Sequence, residues 1–85
     1  MLLYTLEVHA DFATLHLRDL PRETDLPVAR AICARLPESV RVLRVNLHSV
    51  TGLDAGMRQD ILALVRDWRR ERLGHVTVAE FPNGQ

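Results

Sequence analysis

The chain has 85 residues, 47% of them hydrophobic, and this length and composition predict one domain over residues 1–85 with a real core. Eleven basic and eleven acidic residues give a net charge of zero, which argues against the basic stripe that nucleic-acid binding needs. All the basic residues are Arg, which excludes lysine-based chemistry, and the single cysteine, Cys33, excludes an intrachain disulfide. Neither a signal peptide nor a membrane span is predicted, so we expect a cytoplasmic protein.

The N-terminal residues alternate between apolar and polar side chains in two short runs. Residues 2–8 read LLYTLEV, residues 12–17 read FATLHL, and His9, Ala10 and Asp11 lie between them. A period of two residues is typical of strands, and a short polar break between two such runs favours a hairpin. The first two elements are therefore predicted to be paired strands.

A polar loop and a short helix are predicted next. Residues 18–25 read RDLPRETD, after which Thr24 or Asp25 is placed to cap a helix and Pro27 falls in its first turn. Pro37 is expected to end this helix. Its apolar residues share one face, so Cys33 is predicted to be a small core residue and not a nucleophile: Ala29, Ile32, Cys33 and Leu36.

The second half of the chain predicts strand, helix and strand. Residues 41–48 alternate as a third strand, and the turn VTGLDAGMR at residues 50–58 leads into a helical pattern. Gly74 is expected to cap the end of this helix, before a fourth strand at residues 75–81 and a stop at Pro82. The inward face of the helix is predicted from 3.6-residue spacing: Met57, Ile61, Leu64, Val65 and Trp68.

The order ββαβαβ implies parallel, right-handed crossovers for the last three strands. Because each strand has one apolar and one polar side, we expect both helices to cover the same side. The predicted fold is thus an α/β two-layer sandwich: a four-stranded mixed sheet with two helices on one face. The other face would be open and would carry Thr5, Glu7, Thr14, His16, Arg44, Asn46, His48 and Thr77.

Other chemistry receives little support from the sequence. His9, His16 and His48 could share the open face, but no HxH pair or accompanying carboxylate gives them metal-ligand spacing, so no metal is predicted. No nucleophile–base motif or glycine-rich phosphate loop is present, so we expect neither enzyme activity nor a cofactor. Trp68 lies on the apolar stripe, which favours core packing over stacking on a base.

The stretch from the third strand to the last resembles the STAS domain, the fold of anti-sigma factor antagonists. The family pattern is a hydrophobic strand, an apolar residue, Asp-Ser-Ser-Gly-Leu, a helix and a short turn into the last strand. Leu53 and Asp54 fall on the apolar-Asp pair, and RERLGHVTV at residues 70–78 falls on the helix end and final strand. The resemblance covers about residues 12–81 and implies a STAS-like domain without the family's further C-terminal helix.

In the family the second Ser of this motif accepts a phosphate from a kinase that is also the anti-sigma factor. Here Ala55 and Gly56 occupy the two Ser positions, and the nearest hydroxyls are those of Ser49 and Thr51. The resemblance therefore implies a regulator that is not phosphorylated at the usual site. Asp54 is expected to cap the helix, and its charge would discourage a bound phosphate.

The leading hypothesis is a small regulatory module that binds a protein partner, an anti-sigma factor or kinase-like ATPase. Its predicted binding residues lie in the loop 18–25 and the turn 51–58 with the helix start: Arg22, Glu23, Thr51, Asp54, Ala55, Gly56, Arg58 and Gln59. An alternative is a scaffolding subunit of a larger assembly, such as a transporter, which dimerises or docks through the open face at His16, Arg44, Asn46 and His48. A third is a small-ligand or nucleotide-binding module at the same helix start.

Overall fold

The elements follow the predicted order ββαβαβ in the computed structural model, which describes residues 2–79. The strands are β1 (Tyr4–Val8), β2 (Phe12–Leu17), β3 (Val42–Asn46) and β4 (His75–Ala79). A 3-10 turn at Glu23–Asp25 leads into helix α1 (Leu26–Ala34), and helix α2 spans Ala55–Arg72. The predicted end of the fourth strand at Phe81 and the stop at Pro82 lie outside the described residues.

The four strands form one mixed sheet in the order β1-β2-β3-β4. β1 pairs antiparallel with β2, whereas β2, β3 and β4 are mutually parallel. In this register Leu15 of β2 lies between Leu6 of β1 and Val45 of β3. The predicted four-stranded mixed sheet is confirmed.

Both helices cover the same side of the sheet, as the alternation predicted. The odd-numbered positions of β2 and β3 are buried, and Leu43 is fully inaccessible to solvent. These side chains form one core with the apolar faces of the two helices, and its members include Leu15, Leu17, Leu43, Val45, Leu36, Ile61, Leu64, Val65 and Trp68. Cys33 is also in this core, which confirms its predicted core position, and burial raises the pKa of its thiol to about 11.

The edge strand β1 is less well covered than the prediction implied. Tyr4 and Val8 lie on the helix-facing side of β1, yet they remain 42% and 45% exposed. The outer strand therefore keeps apolar side chains at the surface.

The end of α2 differs from the prediction. Leu73, not Gly74, adopts the left-handed conformation at the helix end, with φ of 54°. Gly74 is needed for another reason: a Cβ at this position would lie 2.4 Å from the carbonyl oxygen of Arg41. The neighbouring His75 N–H donates to that same carbonyl at 2.8 Å, which begins the pairing of β4 with β3.

Among residues 2–79, no helix is both long enough and apolar enough to cross a membrane.

Candidate functional site

The two segments predicted to bind a partner lie at the same edge of the sheet. One follows the carboxyl end of β2 and enters α1, and the other follows the carboxyl end of β3 and enters α2. Because β2 and β3 are parallel, their carboxyl ends and the starts of the helices that follow them meet at one edge. We call the loop 18–25, the turn 51–54 and the first turn of α2 the helix-start edge.

Asp54 closes the second of these segments as the sequence predicted. Its Oδ1 accepts the N–H of Met57 at 2.7 Å, and its backbone carbonyl accepts the N–H of Arg58 at 3.0 Å. Just before Asp54, Gly52 has φ of 75°, a conformation that glycine adopts without strain. The turn therefore fixes the direction in which α2 begins.

A second carboxylate, that of Asp25, fixes the first segment. Its Oδ2 accepts the backbone N–H of Arg22 at 2.9 Å, and its own N–H donates to the Arg22 carbonyl at 2.8 Å. Asp25 is almost completely buried, so it organises the turn rather than contacting a partner. The predicted capping role of Asp25 needs this correction: its side chain closes the 3-10 turn before α1 and makes no cap hydrogen bond to α1 itself.

A shallow depression of about 340 Å³ lies between the start of α1 and the second and third turns of α2. Glu23 and Leu26 line it from the first segment, and Asp60, Ala63 and Leu64 line it from α2. Arg30 also lines it and bonds Asp67 of α2 through Nη1 and Oδ2 at 3.0 Å. The predicted residue Glu23 thus shares one surface with the second and third turns of α2, whereas the predicted residues of the turn 51–58 do not line this depression.

The other predicted partner-binding residues are at the surface of this edge. Six are exposed: Arg22, Thr51, Ala55, Gly56, Arg58 and Gln59. The hydroxyls nearest to Ala55 and Gly56 belong to Ser49 and Thr51, and Ser49 is exposed as well. A Cβ added at Gly56 would meet Asp54 Oδ1 at an ordinary 3.4 Å, so side chains larger than glycine fit at that position.

The open face carries a chain of hydrogen bonds across three strands. Glu7 of β1 contacts His16 Nε2 at 3.4 Å, and His16 Nδ1 lies 3.1 Å from Asn46 Nδ2. The Asn46 Oδ1 in turn accepts the backbone N–H of His48 at 2.9 Å. The sequence placed these residues on one face, but their contacts depend on the cross-strand register, which no sequence pattern specified.

Of the residues assigned to the open face, His48 needs correction, and Thr14 lies on that face but is covered. His48 lies in the turn after β3, because the strand ends at Asn46 and not at residue 48. Thr14 points to the open side but is only 6% exposed, since the longer side chains of its cross-strand neighbours Glu7 and Arg44 flank it. The exposed part of this face is therefore smaller than the sequence indicated.

We expect His16 to be held as one neutral tautomer, with its proton on Nε2. The backbone N–H of His48 fixes the Asn46 Oδ1, so the amide NH₂ group points at His16 Nδ1, which must then accept. The ¹⁵N shifts of the imidazole nitrogens at pH 8 should show Nδ1 unprotonated, and Asn46→Ala should restore an ordinary tautomer mixture. His75, which has no such partner among residues 2–79, is the control; an identical mixture at both histidines would contradict the assignment.

Within residues 2–79, no three His, Cys, Asp or Glu side chains are grouped so that they could hold a metal ion. His9 is instead stacked on Phe12, with ring centroids 4.3 Å apart. The three histidines considered as ligands are thus distributed between a stacking pair, a hydrogen-bond chain and a turn.

Two features of α2 were not predicted as sites. Arg72 donates to the carbonyls of Ala34, Leu36 and Pro37, and its guanidinium lies 5.3 Å from the ring centroid of Trp68. These contacts fasten the end of α2 to the end of α1. Arg66, Arg69 and Arg70 lie on another side of the same helix, and they were not identified as a site from the sequence.

No protein-family model matches the sequence, and no curated protein matches it either. The fold is similar to part of a solved crystal structure named Mglu, with a TM-score of 0.70 and 22% sequence identity. The match covers 95% of this chain and 20% of that chain, so this chain spans a fifth of the length of Mglu. At this identity the likeness shows a shared fold and nothing about activity.

Proposed function

We propose that this chain is a STAS-like regulatory module that binds a protein partner of the anti-sigma factor or kinase-like ATPase type through its helix-start edge. The observation that carries the proposal is the topology of the sheet: because β2 and β3 are parallel, the loop 18–25 and the turn 51–54 follow strand ends that lie at one edge. A surface shared by two separate segments offers more contact area than either loop alone.

The rigidity of this edge supports the proposal. Asp54 caps α2 and Asp25 closes the turn before α1, so both segments have defined backbone directions before any partner arrives. Binding would then cost little ordering entropy, which favours a protein-recognition surface over a mobile loop. The exposed Arg58 and Gln59 provide the polar groups that a partner would contact.

The module is proposed to act without phosphorylation at the family position. Ala55 and Gly56 lack a hydroxyl, and the Asp54 carboxylate already occupies the N-terminus of α2, where a phosphate would otherwise be stabilised. Regulation would then depend on the amount of protein or on competition between partners. Phosphate found by mass spectrometry on Ser49 or Thr51 in cells would overturn this part of the proposal.

We expect Arg58→Glu to abolish capture of a kinase-like ATPase by the tagged chain from its native cells, because the change reverses an exposed charge in the first turn of α2. Asp54→Asn should retain binding, since the amide oxygen can still cap α2. Arg35→Glu is the matched control: it makes the same charge change on an exposed residue just after α1, at the far end of the helices.

The measurement is quantitative mass spectrometry of the captured proteins, with circular dichroism to show that each variant is folded. Equal capture of the ATPase by the wild type and by Arg58→Glu would contradict the proposed surface. Capture of no ATPase of this type by the wild type would contradict the proposed class of partner.

A further inference from the structure

A second surface, at the far end of α2, has features that the proposed function does not use. Arg66, Arg69 and Arg70 border an open hollow of about 560 Å³, which is closed on its other side by Leu73, Gly74 and His75. We call these six residues the arginine patch. Since α2 has 18 residues, the patch lies roughly 20 Å along the helix from the helix-start edge.

The three guanidinium groups of the arginine patch have no partner within residues 2–79. Arg30 bonds Asp67, and Arg72 bonds three carbonyls, but Arg66, Arg69 and Arg70 make no hydrogen bond or ion pair there. Their spacing of three and four residues places like charges beside each other on the helix, which is destabilising. The fold thus retains an unfavourable charge cluster.

The helix dipole explains only part of this cluster. Positive side chains in the last turn are stabilised by the negative end of the helix, and this accounts for Arg69 and Arg70. Arg66 lies before that turn, where the effect has fallen off. The helix dipole also gives no reason for an exposed apolar side chain at Leu73, directly after the helix.

Leu73 is the most unusual residue of the patch. Its φ of 54° is a conformation that a branched, bulky residue rarely adopts, and its side chain is 87% exposed. Glycine would fit the backbone without strain, so the leucine is unfavourable both for its conformation and for its exposure. Backbone strain tends to occur at functional sites, and here it occurs at an exposed apolar residue beside three cations that are unpaired within the described residues. This combination indicates a binding role for the patch.

We propose that the arginine patch binds an acidic protein segment that places an apolar side chain against Leu73. The three guanidiniums provide charge complementarity for Asp or Glu side chains, which arginine binds in a bidentate manner. The apolar contact with Leu73 selects a segment that is both acidic and hydrophobic. Nucleic acid fits less well, because the chain has zero net charge and the patch contains no Trp, Tyr or Phe on which a base could stack.

The probe for this proposal is a fluorescein-labelled peptide of repeated Glu-Leu-Glu-Glu units, with binding followed by fluorescence anisotropy. We expect Arg66→Gln combined with Arg70→Gln to raise Kd at least tenfold, because two charged contacts are lost. Arg35→Gln combined with Arg44→Gln is the matched control: it removes two exposed cations outside the hollow and should leave Kd within about twofold.

Leu73→Gly distinguishes a role in binding from a role in stability, because we expect it to stabilise the fold and to weaken peptide binding. The melting temperature should rise by about 2–5 °C as the left-handed strain is removed, while Kd for the peptide rises severalfold. A peptide with Ser in place of Leu should bind the wild type as weakly as the leucine peptide binds Leu73→Gly.

Three results would overturn the proposal. One is an unchanged Kd in the Arg66→Gln, Arg70→Gln protein, and another is equal binding of the Ser and Leu peptides. The third is tighter binding of a single-stranded oligonucleotide or of phosphatidylserine vesicles than of the acidic peptide. The helix-start edge is unaltered in all these variants, so failure here leaves the proposed function to its own test.

Discussion

Trp68→Ala is expected to lower the free energy of unfolding by about 3–5 kcal/mol, the usual cost of removing a buried tryptophan. Trp68, a residue of α2, is 5% exposed and packs in the core. Its Nε1–H donates to the carbonyl of Cys33 at 3.1 Å, at the end of α1, and Arg72 lies over its ring. The substitution therefore removes packing, a buried hydrogen bond and a cation–π contact together. Urea unfolding followed by circular dichroism measures the loss.

Trp68→Phe divides this effect into its parts. The phenyl ring keeps much of the apolar contact, but the Cys33 carbonyl loses the indole donor and keeps the Leu36 N–H at 3.3 Å, so we expect a cost of about 1 kcal/mol. Trp68→Ala should also weaken the contacts of Arg72 with the end of α1, because the Arg72 guanidinium loses the aromatic ring on which it lies. A Trp68→Ala protein as stable as the wild type would show that the two helices do not pack through this residue.

The alternation of apolar residues was sufficient to predict the architecture. Leu15, Leu43 and Val45 occur with a period of two, and this pattern by itself assigns them to the covered face, where they are buried. The spacing of Ile61, Val65 and Trp68 identified the buried side of α2 in the same way. Asp54 as a helix cap followed from local chemistry alone, because the acceptor and the N–H it binds lie three residues apart.

What the sequence could not provide depends on contacts between distant residues. Arg72 bonds carbonyls about 35 positions earlier in the chain, and this requires the two helices to be in place. His16 meets Asn46 only because β2 and β3 pair in one particular register. The exposure of Tyr4 depends on how far the helices extend across the sheet, which the strand's own alternation does not encode.

The left-handed residue at the end of α2 also depends on a contact between distant residues. A glycine after a long helix is commonly the residue that takes up the left-handed conformation, and the sequence pattern indicated this for Gly74. In the structure Leu73 takes up that conformation and Gly74 is buried against β3. The reason is a backbone approach from Arg41, which belongs to a separate part of the chain and gives no sign in the local sequence.

Gly74→Ala is expected to lower the free energy of unfolding by about 3 kcal/mol, at the upper end of the usual cost of overpacking. The new Cβ would lie 2.4 Å from the Arg41 carbonyl oxygen and 3.3 Å from Trp68 Cζ3. Because the first of these atoms belongs to the backbone, it cannot move aside without disturbing the hydrogen bond from His75 that starts β4. We expect the β3–β4 amides to lose hydrogen-exchange protection before those of β1 and β2.

Gly56→Ala is the matched control, because it adds the same methyl group at a glycine near the other end of α2. There the Cβ meets only Asp54 Oδ1 at 3.4 Å, so the helix gains up to about 0.5 kcal/mol from the lower chain entropy of the unfolded state. The two variants should thus change stability in opposite directions, as measured by their urea midpoints. If Gly74→Ala were as stable as Gly56→Ala, the close approach of Arg41 to the end of α2 would be wrong, and with it the reason that Leu73 rather than Gly74 takes the left-handed position.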